Sequence, residues 1–297
     1  MTLLNQKHDI TFPYAAAERV IAAALAEDAA ADDVTTRWSV PEGLMARAEV
    51  VTREPGIAAG LPAVAAVFGR VDERVEVEEL VTDGARLRPG GALLRLHGPA
   101  RSLITAERTV LNLLQRLCGI ATLTDRYVRA VEGLPVRVID TRKTAPGLRA
   151  LDKYAVTAGG GHNHRLNLAA MVLLKENHIA AAGGVGTAIA AVRRGMARDR
   201  RDVLMDVEVQ TVAQAREALD ARVPWIMLDN MPLPEMARVV HLREALTPGA
   251  DVILEASGTI TVDKVRAVAA TGVDVISVGA LTHSAPAVDL SMLLTAT

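Results

Sequence analysis

Six short apolar runs recur from residue 136 onwards in this 297-residue chain, and their spacing constrains the fold more than any other feature. The runs are residues 136–139, 171–174, 203–207, 225–228, 252–254 and 275–278. Helical patterns lie between the later runs, at residues 212–219, 233–246 and 262–270. Strands that alternate with helices favour β-α-β units, so we predict an α/β fold built on a parallel sheet.

Each apolar run is followed by polar residues or glycine. These ends are Asp140 to Lys143, Lys175 to Asn177, Glu208, Asp229-Asn230, Glu255 to Gly258 and Gly279-Ala280. Active sites of parallel α/β sheets form at the carboxyl ends of the strands. We therefore predict that these residues form one ring of ligand-binding groups.

The charges at these ends indicate an anionic substrate. The cationic candidates are Arg142, Lys143, His164, Arg165 and Lys175, and the anionic candidates are Glu208, Asp229 and Glu255. The small residues of Ser257-Gly258-Thr259 and Gly279-Ala280 suit a phosphate held by backbone N–H groups. Strand-end carboxylates suit Mg²⁺ or ribose hydroxyls. The whole set fits a dicarboxylate and a phosphorylated sugar.

Other interpretations apply to single residues in this set. A zinc site at His162, His164 and His178 is not favoured, because no cysteine or neighbouring carboxylates complete it. We predict instead that His178 is a structural hydrogen-bonding residue. Lys175 at a strand end suits a Schiff base. Taken alone, Glu255 is best explained as a solvated strand end.

The first hundred residues predict a mixed α and β unit. We expect helices at residues 14–30 and 61–67, strands at 44–54, 75–78 and 92–96, and a polar turn at 32–36. Two further helices are expected at residues 105–117 and 119–131, separated at Gly119. The polar stripe Arg108, Asn112 and Gln115 on the first of these would face water in a monomer.

The composition excludes several classes of protein. A net charge of -2 gives no sign of nucleic-acid binding. The single cysteine, Cys118, excludes an internal disulfide and is expected to be a core residue. Charges at Glu18, Arg19, Glu27 and Asp28 interrupt the alanine-rich run, so it is not expected to span a membrane. The first ten residues lack a signal pattern, and we expect a cytoplasmic protein.

These motifs resemble the quinolinate phosphoribosyltransferase family, also called the carboxylating nicotinate-nucleotide pyrophosphorylases. The matching segments in the second half are Asp140-Thr141-Arg142-Lys143-Thr144-x-Pro146-Gly147, Lys153 to Val156, Gly159 to Arg165, Lys175-x-Asn177-His178-Ile179, Glu208-Val209, Met227 to Met231 and Glu255 to Gly258. The matching segments in the first half are Asp33 to Thr36, Glu54-Pro55-Gly56, Ala106 to Thr109 and Leu113 to Thr122. The resemblance covers nearly the whole chain.

The resemblance implies a fold and a domain division. A small amino-terminal α/β sandwich, residues 1–118, would be joined by the carboxyl-terminal tail 285–297. Residues 119–284 would form an open α/β barrel of about seven strands. The neighbouring subunit of a homodimer would receive Arg108 in its active site, so the active sites would be shared.

The resemblance also implies a reaction and its residues. Phosphoribosyl pyrophosphate and quinolinate would give nicotinate mononucleotide, pyrophosphate and CO₂ in NAD biosynthesis. Catalytic roles would fall on Lys143, Lys175, Glu208 and Asp229, the last two also serving Mg²⁺. Substrate contacts would come from Arg108, Thr141, Arg142, His164, Arg165, Asn230, Ser257, Gly258, Gly279, Ala280 and His283. The alternatives are a Schiff-base lyase using Lys175 and a non-catalytic sensor of pyridine carboxylates.

Overall fold

The computed structural model describes residues 11–296, which divide into two compact units. Within that range, residues 126–142 and 162–279 form what we call the parallel-sheet unit. Residues 11–125, 143–161 and 280–296 form the antiparallel-sheet unit. The expectation of no signal pattern in the first ten residues falls outside the described residues.

The parallel-sheet unit confirms all six predicted strands. They are β6 (Arg137–Ile139), β7 (Val172–Leu174), β8 (Met205–Val209), β9 (Trp225–Asp229), β10 (Ile253–Ser257) and β11 (Val275–Ser277). Their order in the sheet is β6-β11-β10-β9-β8-β7, and every pair is parallel. Strands β9, β10 and β11 are buried almost throughout, as expected for a parallel sheet covered by helices.

The resemblance implied about seven strands, and the described residues form six. A single parallel bridge between Ile139 and His162 lies beside β6, where a further strand would pair. After this bridge the chain leaves the sheet, because the Asp140 carboxylate accepts the backbone N–H of His164 at 2.8 Å. The Asp140 side chain thus binds a backbone N–H that would otherwise be available to pair with a neighbouring strand.

Helices cover this sheet in sequence. They are α6 (Glu176–Ala182), α7 (Val185–Asp199), α8 (Val212–Asp220), α9 (Leu233–Leu246) and α10 (Val262–Ala269). The start of α8 shows how the sequence sets a boundary, since the Thr211 hydroxyl accepts the Gln214 N–H at 3.2 Å. α6 ends at Gly183, which has a left-handed φ of 82°.

The antiparallel-sheet unit is built on four strands in the order β12-β1-β5-β3. They are β1 (Met45–Thr52), β3 (Glu76–Glu79), β5 (Ala92–Pro99) and β12 (Leu290–Ala296). β2 (Gly56–Ile57) and β4 (Arg86–Leu87) form a separate antiparallel pair. β12, in the carboxyl-terminal tail, pairs with β1 from Thr52 opposite Leu290 to Ala46 opposite Ala296.

Helices of this unit are α1 (Tyr14–Glu27), α2 (Val34–Ser39), α3 (Pro62–Val71), α5 (Arg149–Ala158) and α11 (Ala280–His283), with a 3-10 turn at Ala30–Asp32. The predicted polar turn at 32–36 is partly wrong, because α2 begins inside it. The Asp33 carboxylate accepts the Thr36 N–H at 2.9 Å and so starts the helix.

The prediction of two helices separated at Gly119 is wrong. One helix, α4 (Ala100–Ala130), runs for 31 residues through this position. Gly119 is needed for close packing, because a Cβ there would lie 2.0 Å from the carbonyl oxygen of Pro286. Cys118 beside it is fully buried, which confirms it as a core residue. In residues 11–296, no helix combines the length and apolarity needed to cross a bilayer.

Candidate active site

The parallel-sheet unit brings the predicted polar strand ends to one edge. Asp140 follows β6, Lys175 follows β7, and Glu208 lies near the end of β8. Asp229 and Ser257 are the last residues of β9 and β10. Because all six strands are parallel, their carboxyl ends lie at the same edge of the sheet. The structure therefore confirms that these ends share one edge.

Lys175 and Glu208 form an ion pair at this edge. The Lys175 ammonium donates to Glu208 Oε2 at 2.8 Å. The Lys175 side chain is 48% exposed and that of Glu208 is 11% exposed, so the pair borders solvent. The Lys175 backbone N–H donates to His178 Nδ1 at 3.0 Å, which confirms the structural role predicted for His178.

Arg142 and Arg165 bring like charges near each other. Burial lowers the pKa of Arg165, and the charge of Arg142 lowers it further, whereas Asp206 raises it. One Arg165 nitrogen donates to the carbonyl of Met171 at 2.9 Å, which fixes the guanidinium. Both arginines are half-buried. Two neighbouring cations in partial burial favour an anionic ligand.

The two loops that follow β9 and β10 contact each other at the sheet edge. Asn230 has a left-handed φ of 50°, its amide donates to Asp229 Oδ2 at 3.1 Å, and its side-chain oxygen accepts the Thr259 N–H at 3.3 Å. Gly258 has a φ of 128°, and a Cβ there would lie 2.3 Å from that same Asn230 oxygen. The loop after β10 thus requires glycine, and Ser257 and Asn230 line an adjoining cavity of about 270 Å³.

Beneath the edge lies a set of residues that we call the buried cluster: His164, Asp206, Glu255 and Trp225. His164 Nε2 lies 3.4 Å from Glu255 Oε2 and 3.5 Å from Asp206 Oδ2. The Trp225 indole N–H donates to Glu255 Oε2 at 2.7 Å. Both carboxylates are fully buried. The interpretation of Glu255 as a solvated strand end is therefore wrong, because its neighbours lie inside the sheet unit.

The buried cluster has an unusual proton balance. Burial raises the pKa of Asp206 to about 7, with Glu255 adding to the rise and His164 opposing it. Burial lowers the pKa of His164, but Asp206 and Glu255 raise it more, to about 9. His164 Nδ1 accepts the Arg165 backbone N–H at 2.7 Å. This contact orients the imidazole so that Nε2 faces the two acids.

The buried cluster also bears on metal binding. Among residues 11–296, His164, Asp206 and Glu255 are the group of three metal-ligating side chains that the structure brings together, with ligand atoms within 4.8 Å. The argument that no carboxylates lie near the histidines is thus wrong for His164. This group could bind a metal ion. Full burial and an imidazole suit Mg²⁺ poorly, whereas the oxygens of Glu208 and Asp229 at the sheet edge suit it.

Other predicted site residues belong to the antiparallel-sheet unit. Lys143 is exposed, and His283 ends α11, which begins at Ala280. Arg116, Lys143, Thr144, Ala145, Thr282 and His283 line a cleft of about 480 Å³. Arg108 is exposed on α4. Gln115 of the same polar stripe does not face water freely, since its amide donates to the Leu290 carbonyl at 3.0 Å.

Sequence reasoning missed Asp206 and Arg116. Asp206 is a charged residue inside the apolar run 203–207, and a carboxylate at an inward strand position is a usable signal. Arg116 pairs with Asp152, 36 residues away, at 2.8 and 2.7 Å. No local pattern reveals that contact.

Comparison with known proteins agrees with this geometry. The model of the C-terminal domain of quinolinate phosphoribosyl transferase matches residues 120–293, and the N-terminal domain model matches residues 33–118. A mitochondrial decarboxylating quinolinate phosphoribosyltransferase 2a of Nicotiana tabacum is 40% identical, over 92% of this chain and 80% of its own length. A carboxylating nicotinate-nucleotide pyrophosphorylase of Mycobacterium leprae is 42% identical, over 88% and 90%. The crystal structure of NadC from Streptococcus pyogenes is 39% identical, with a TM-score of 0.87 over 94% and 96%.

Proposed function

The chain belongs to the quinolinate phosphoribosyltransferase family, and we propose that the strand-end residues described above carry its reaction. It is a decarboxylating quinolinate phosphoribosyltransferase of NAD biosynthesis. The phosphoribosyl group of phosphoribosyl pyrophosphate passes to quinolinate, giving nicotinate mononucleotide, pyrophosphate and CO₂. Its fold, an antiparallel-sheet domain followed by a parallel-sheet domain, is consistent with the α/β barrel of this family.

The two carboxylates of quinolinate are bound by the cations at the sheet edge. The observation that carries this proposal is the neighbouring pair Arg142 and Arg165, whose like charges favour an anion between them. Thr141 donates a further hydrogen bond. His164, predicted as another carboxylate contact, supports the clamp through the Arg165 N–H that it accepts. Lys175 completes the cationic set.

Backbone and small side chains bind the 5-phosphate. Ser257, Gly258 and Asn230 lie where the loops after β9 and β10 meet, and a glycine turn at a strand end suits phosphate oxygens. Gly279 and Ala280 supply the start of a second turn, and His283 at the end of α11 lies in one cleft with Lys143. Lys143 holds the leaving pyrophosphate as a compact point charge. The exposed position of Lys143 in its cleft supports this assignment.

Departure of pyrophosphate leaves positive charge on the ribose, which Glu208 and Asp229 stabilise. The quinolinate nitrogen donates its lone pair to the ribose carbon and becomes cationic. The C2–carboxylate bond then breaks, CO₂ leaves, and its electron pair stays on C2 beside the ring cation. Lys175 supplies the proton that quenches this carbanion. The Glu208 carboxylate, which accepts from the Lys175 ammonium at 2.8 Å, holds this side chain at the sheet edge.

Glu208 and Asp229 would also hold Mg²⁺, because hard carboxylate oxygens at a solvent border leave room for water and phosphate ligands. The ion, when bound, neutralises charge on the leaving pyrophosphate. Lys175 donates to one Glu208 oxygen at 2.8 Å, so Asp229 and the other Glu208 oxygen would be the groups available to hold the ion.

Residues 1–118 with the tail 285–297 form one domain of this proposal, and residues 119–284 form the barrel domain. We assign a cytoplasmic location and a homodimer in which Arg108 acts in the partner's site. The exposure of Arg108 supports this assembly. A partner that covers the open edge would exclude water and strengthen the charge pairs inside.

Subunit mixing tests the dimer. Arg108→Ala and Lys175→Ala enzymes are each expected to be inactive. Mixed dimers would combine both lesions in one site and leave the other whole, so activity should recover towards half of the wild-type value. Verified exchange without recovery would refute action in the partner's site.

The substrate assay tests the reaction itself. Purified protein with quinolinate, phosphoribosyl pyrophosphate and Mg²⁺ should release CO₂ and pyrophosphate in equal amounts. Nicotinate should not be used, because it lacks the second carboxylate and would leave the clamped cations unpaired. Comparable turnover of nicotinate would refute the dicarboxylate clamp. Trapping of a substrate adduct on Lys175 by borohydride would favour a Schiff-base lyase instead.

A further inference from the structure

We propose that Arg116 and Asp152 are positioning residues that fix Lys143 and His283 for binding of the pyrophosphate group. The inference rests on the function proposed above, in which Lys143 holds the leaving pyrophosphate. Arg116 lines the same cleft, but its guanidinium donates to Asp152 and to the Thr282 carbonyl, and the Asp152 side chain is fully buried. They act through the backbone that carries the two contacting residues.

The two side chains form a bidentate ion pair. Arg116 Nε donates to Asp152 Oδ1 at 2.8 Å, and its Nη2 donates to Oδ2 at 2.7 Å. The Asp152 side chain is fully buried, and that of Arg116 is 32% exposed. A buried carboxylate is costly unless it is paired and hydrogen-bonded, so this pair has one strongly preferred geometry.

The pair joins three separate segments of the antiparallel-sheet unit. Arg116 lies on α4 and also donates to the Thr282 carbonyl of α11 at 3.2 Å. Asp152 lies on α5 and accepts the Ala145 backbone N–H at 3.2 Å. The Thr282 hydroxyl in turn donates to the carbonyl of Lys143 at 2.9 Å. These contacts hold the Lys143 loop and α11 to the same guanidinium-carboxylate pair.

The cleft described above explains why this geometry matters. Lys143 and His283 line it together with Arg116, and its volume of about 480 Å³ suits a polyphosphate group. Lys143 is exposed in the cleft, and the Thr282 hydroxyl donates to its backbone carbonyl, so the loop that carries Lys143 is fixed to α11. The ion pair places both the Lys143 loop and α11. Lys143 and His283 are therefore held at a fixed separation, as the binding of a polyanion requires.

A second ion pair offers a matched control. Arg243 and Asp274 form an arginine-aspartate pair whose side chains are 17% and 30% exposed. Arg243 also donates to the Val252 carbonyl at 3.3 Å, and Asp274 accepts the Leu254 N–H at 2.7 Å. The pair thus matches Arg116 and Asp152 in chemistry and has similar backbone contacts. None of the residues that it contacts is assigned to substrate binding.

The test compares Arg116→Lys and Asp152→Asn with Arg243→Lys in the full chain. Calorimetry measures the Kd of inorganic pyrophosphate in Mg²⁺ and, separately, the Kd of quinolinate. Lysine cannot make the bidentate contact, so both cleft variants should bind pyrophosphate about tenfold more weakly, with quinolinate binding unchanged. Arg243→Lys should leave both constants at wild-type values.

A double-variant series separates positioning from general stability. In a Lys143→Ala background, Arg116→Lys should weaken pyrophosphate binding much less than in the wild type, because the residue it positions is gone. If a single variant unfolds, Arg116→Met with Asp152→Leu removes both charges together and serves in its place. An equal effect in both backgrounds would overturn the proposal.

The outcomes also separate this proposal from the function on which it rests. A wild-type protein that releases no CO₂ from quinolinate would overturn the proposed function. A wild type that is active, with Lys143→Ala weakened in pyrophosphate binding but Arg116→Lys and Asp152→Asn unaffected, would overturn the positioning role alone.

Discussion

Replacing Gly119 with alanine should destabilise this protein, although the same replacement at an unobstructed position inside a helix stabilises a protein. In an unobstructed helix interior, Gly→Ala stabilises by about 1 kcal/mol, because alanine loses less backbone entropy on folding. At Gly119 the new Cβ would lie 2.0 Å from the Pro286 carbonyl oxygen and 3.3 Å from the Ala287 Cα. Both obstacles are backbone and cannot rotate away.

The size of this clash determines how much the free energy of unfolding should fall. An ordinary contact needs about 3.5 Å, so the tail or the helix must move by roughly 1.5 Å. Overpacking of this kind costs about 1–3 kcal/mol, occasionally more. After subtraction of the helix gain, Gly119→Ala should lower the free energy of unfolding by up to about 2 kcal/mol. The midpoint of thermal unfolding should fall by roughly 2–4 °C per kcal/mol.

Gly195 in α7 is the matched control, because a Cβ there would meet nothing within 4 Å. Gly195→Ala should raise the unfolding midpoint, and Gly119→Ala should lower it, in the same calorimetric experiment. Pro286 follows His283 closely in the sequence, so Gly119→Ala should also raise the KM for phosphoribosyl pyrophosphate. Two midpoint shifts of the same sign would falsify this account of α4.

Three further predictions concern the proposed site. Lys143→Arg and Lys175→Arg should each lower kcat/KM at least about tenfold despite the retained charge, since a planar guanidinium does not replace a compact ammonium; near-normal activity in both would make them surface lysines. Glu208→Gln and Asp229→Asn should lose activity with an unchanged circular dichroism spectrum and alter the Mg²⁺ titration; an unaltered titration would assign both acids to ribose hydroxyls alone. Burial raises the pKa of Asp206 to about 7, so its stabilising proton is present below about pH 4 and lost as the pH rises to about 7. Asp206→Asn should therefore flatten the fall of unfolding free energy between about pH 4 and about pH 7; if urea denaturation gives variant and wild type the same dependence of this free energy on pH, the prediction is contradicted.

The sequence predicted the parallel sheet well because its strands are continuous apolar runs. Such runs arise when both faces of a strand are buried, and the signal is local. The run 225–228 became β9 (Trp225–Asp229), and the run 275–278 became β11 (Val275–Ser277). The shared edge followed from the same reasoning, because the carboxyl ends of parallel strands must meet.

The errors arose where tertiary contacts decide. Gly119 has the local pattern of a helix stop, and only its contact with Pro286 explains why a glycine lies inside a continuous helix. Glu255 has the pattern of a solvated strand end, yet Trp225 and His164 enclose it. Neither partner is adjacent in sequence, so neither outcome is readable from a local window.

Under the proposed function, the interior of the parallel-sheet unit sets stability against activity. The buried cluster places two carboxylates and an imidazole where an apolar set of equal volume would pack without desolvation cost. A stability-guided redesign, or a selection for heat resistance alone, would tend to replace Asp206 and Glu255 with hydrophobic residues. Such a protein would gain melting temperature and lose the support of His164 for Arg165. Positions 206 and 255 are thus the ones that an engineer of a more robust enzyme should leave unchanged.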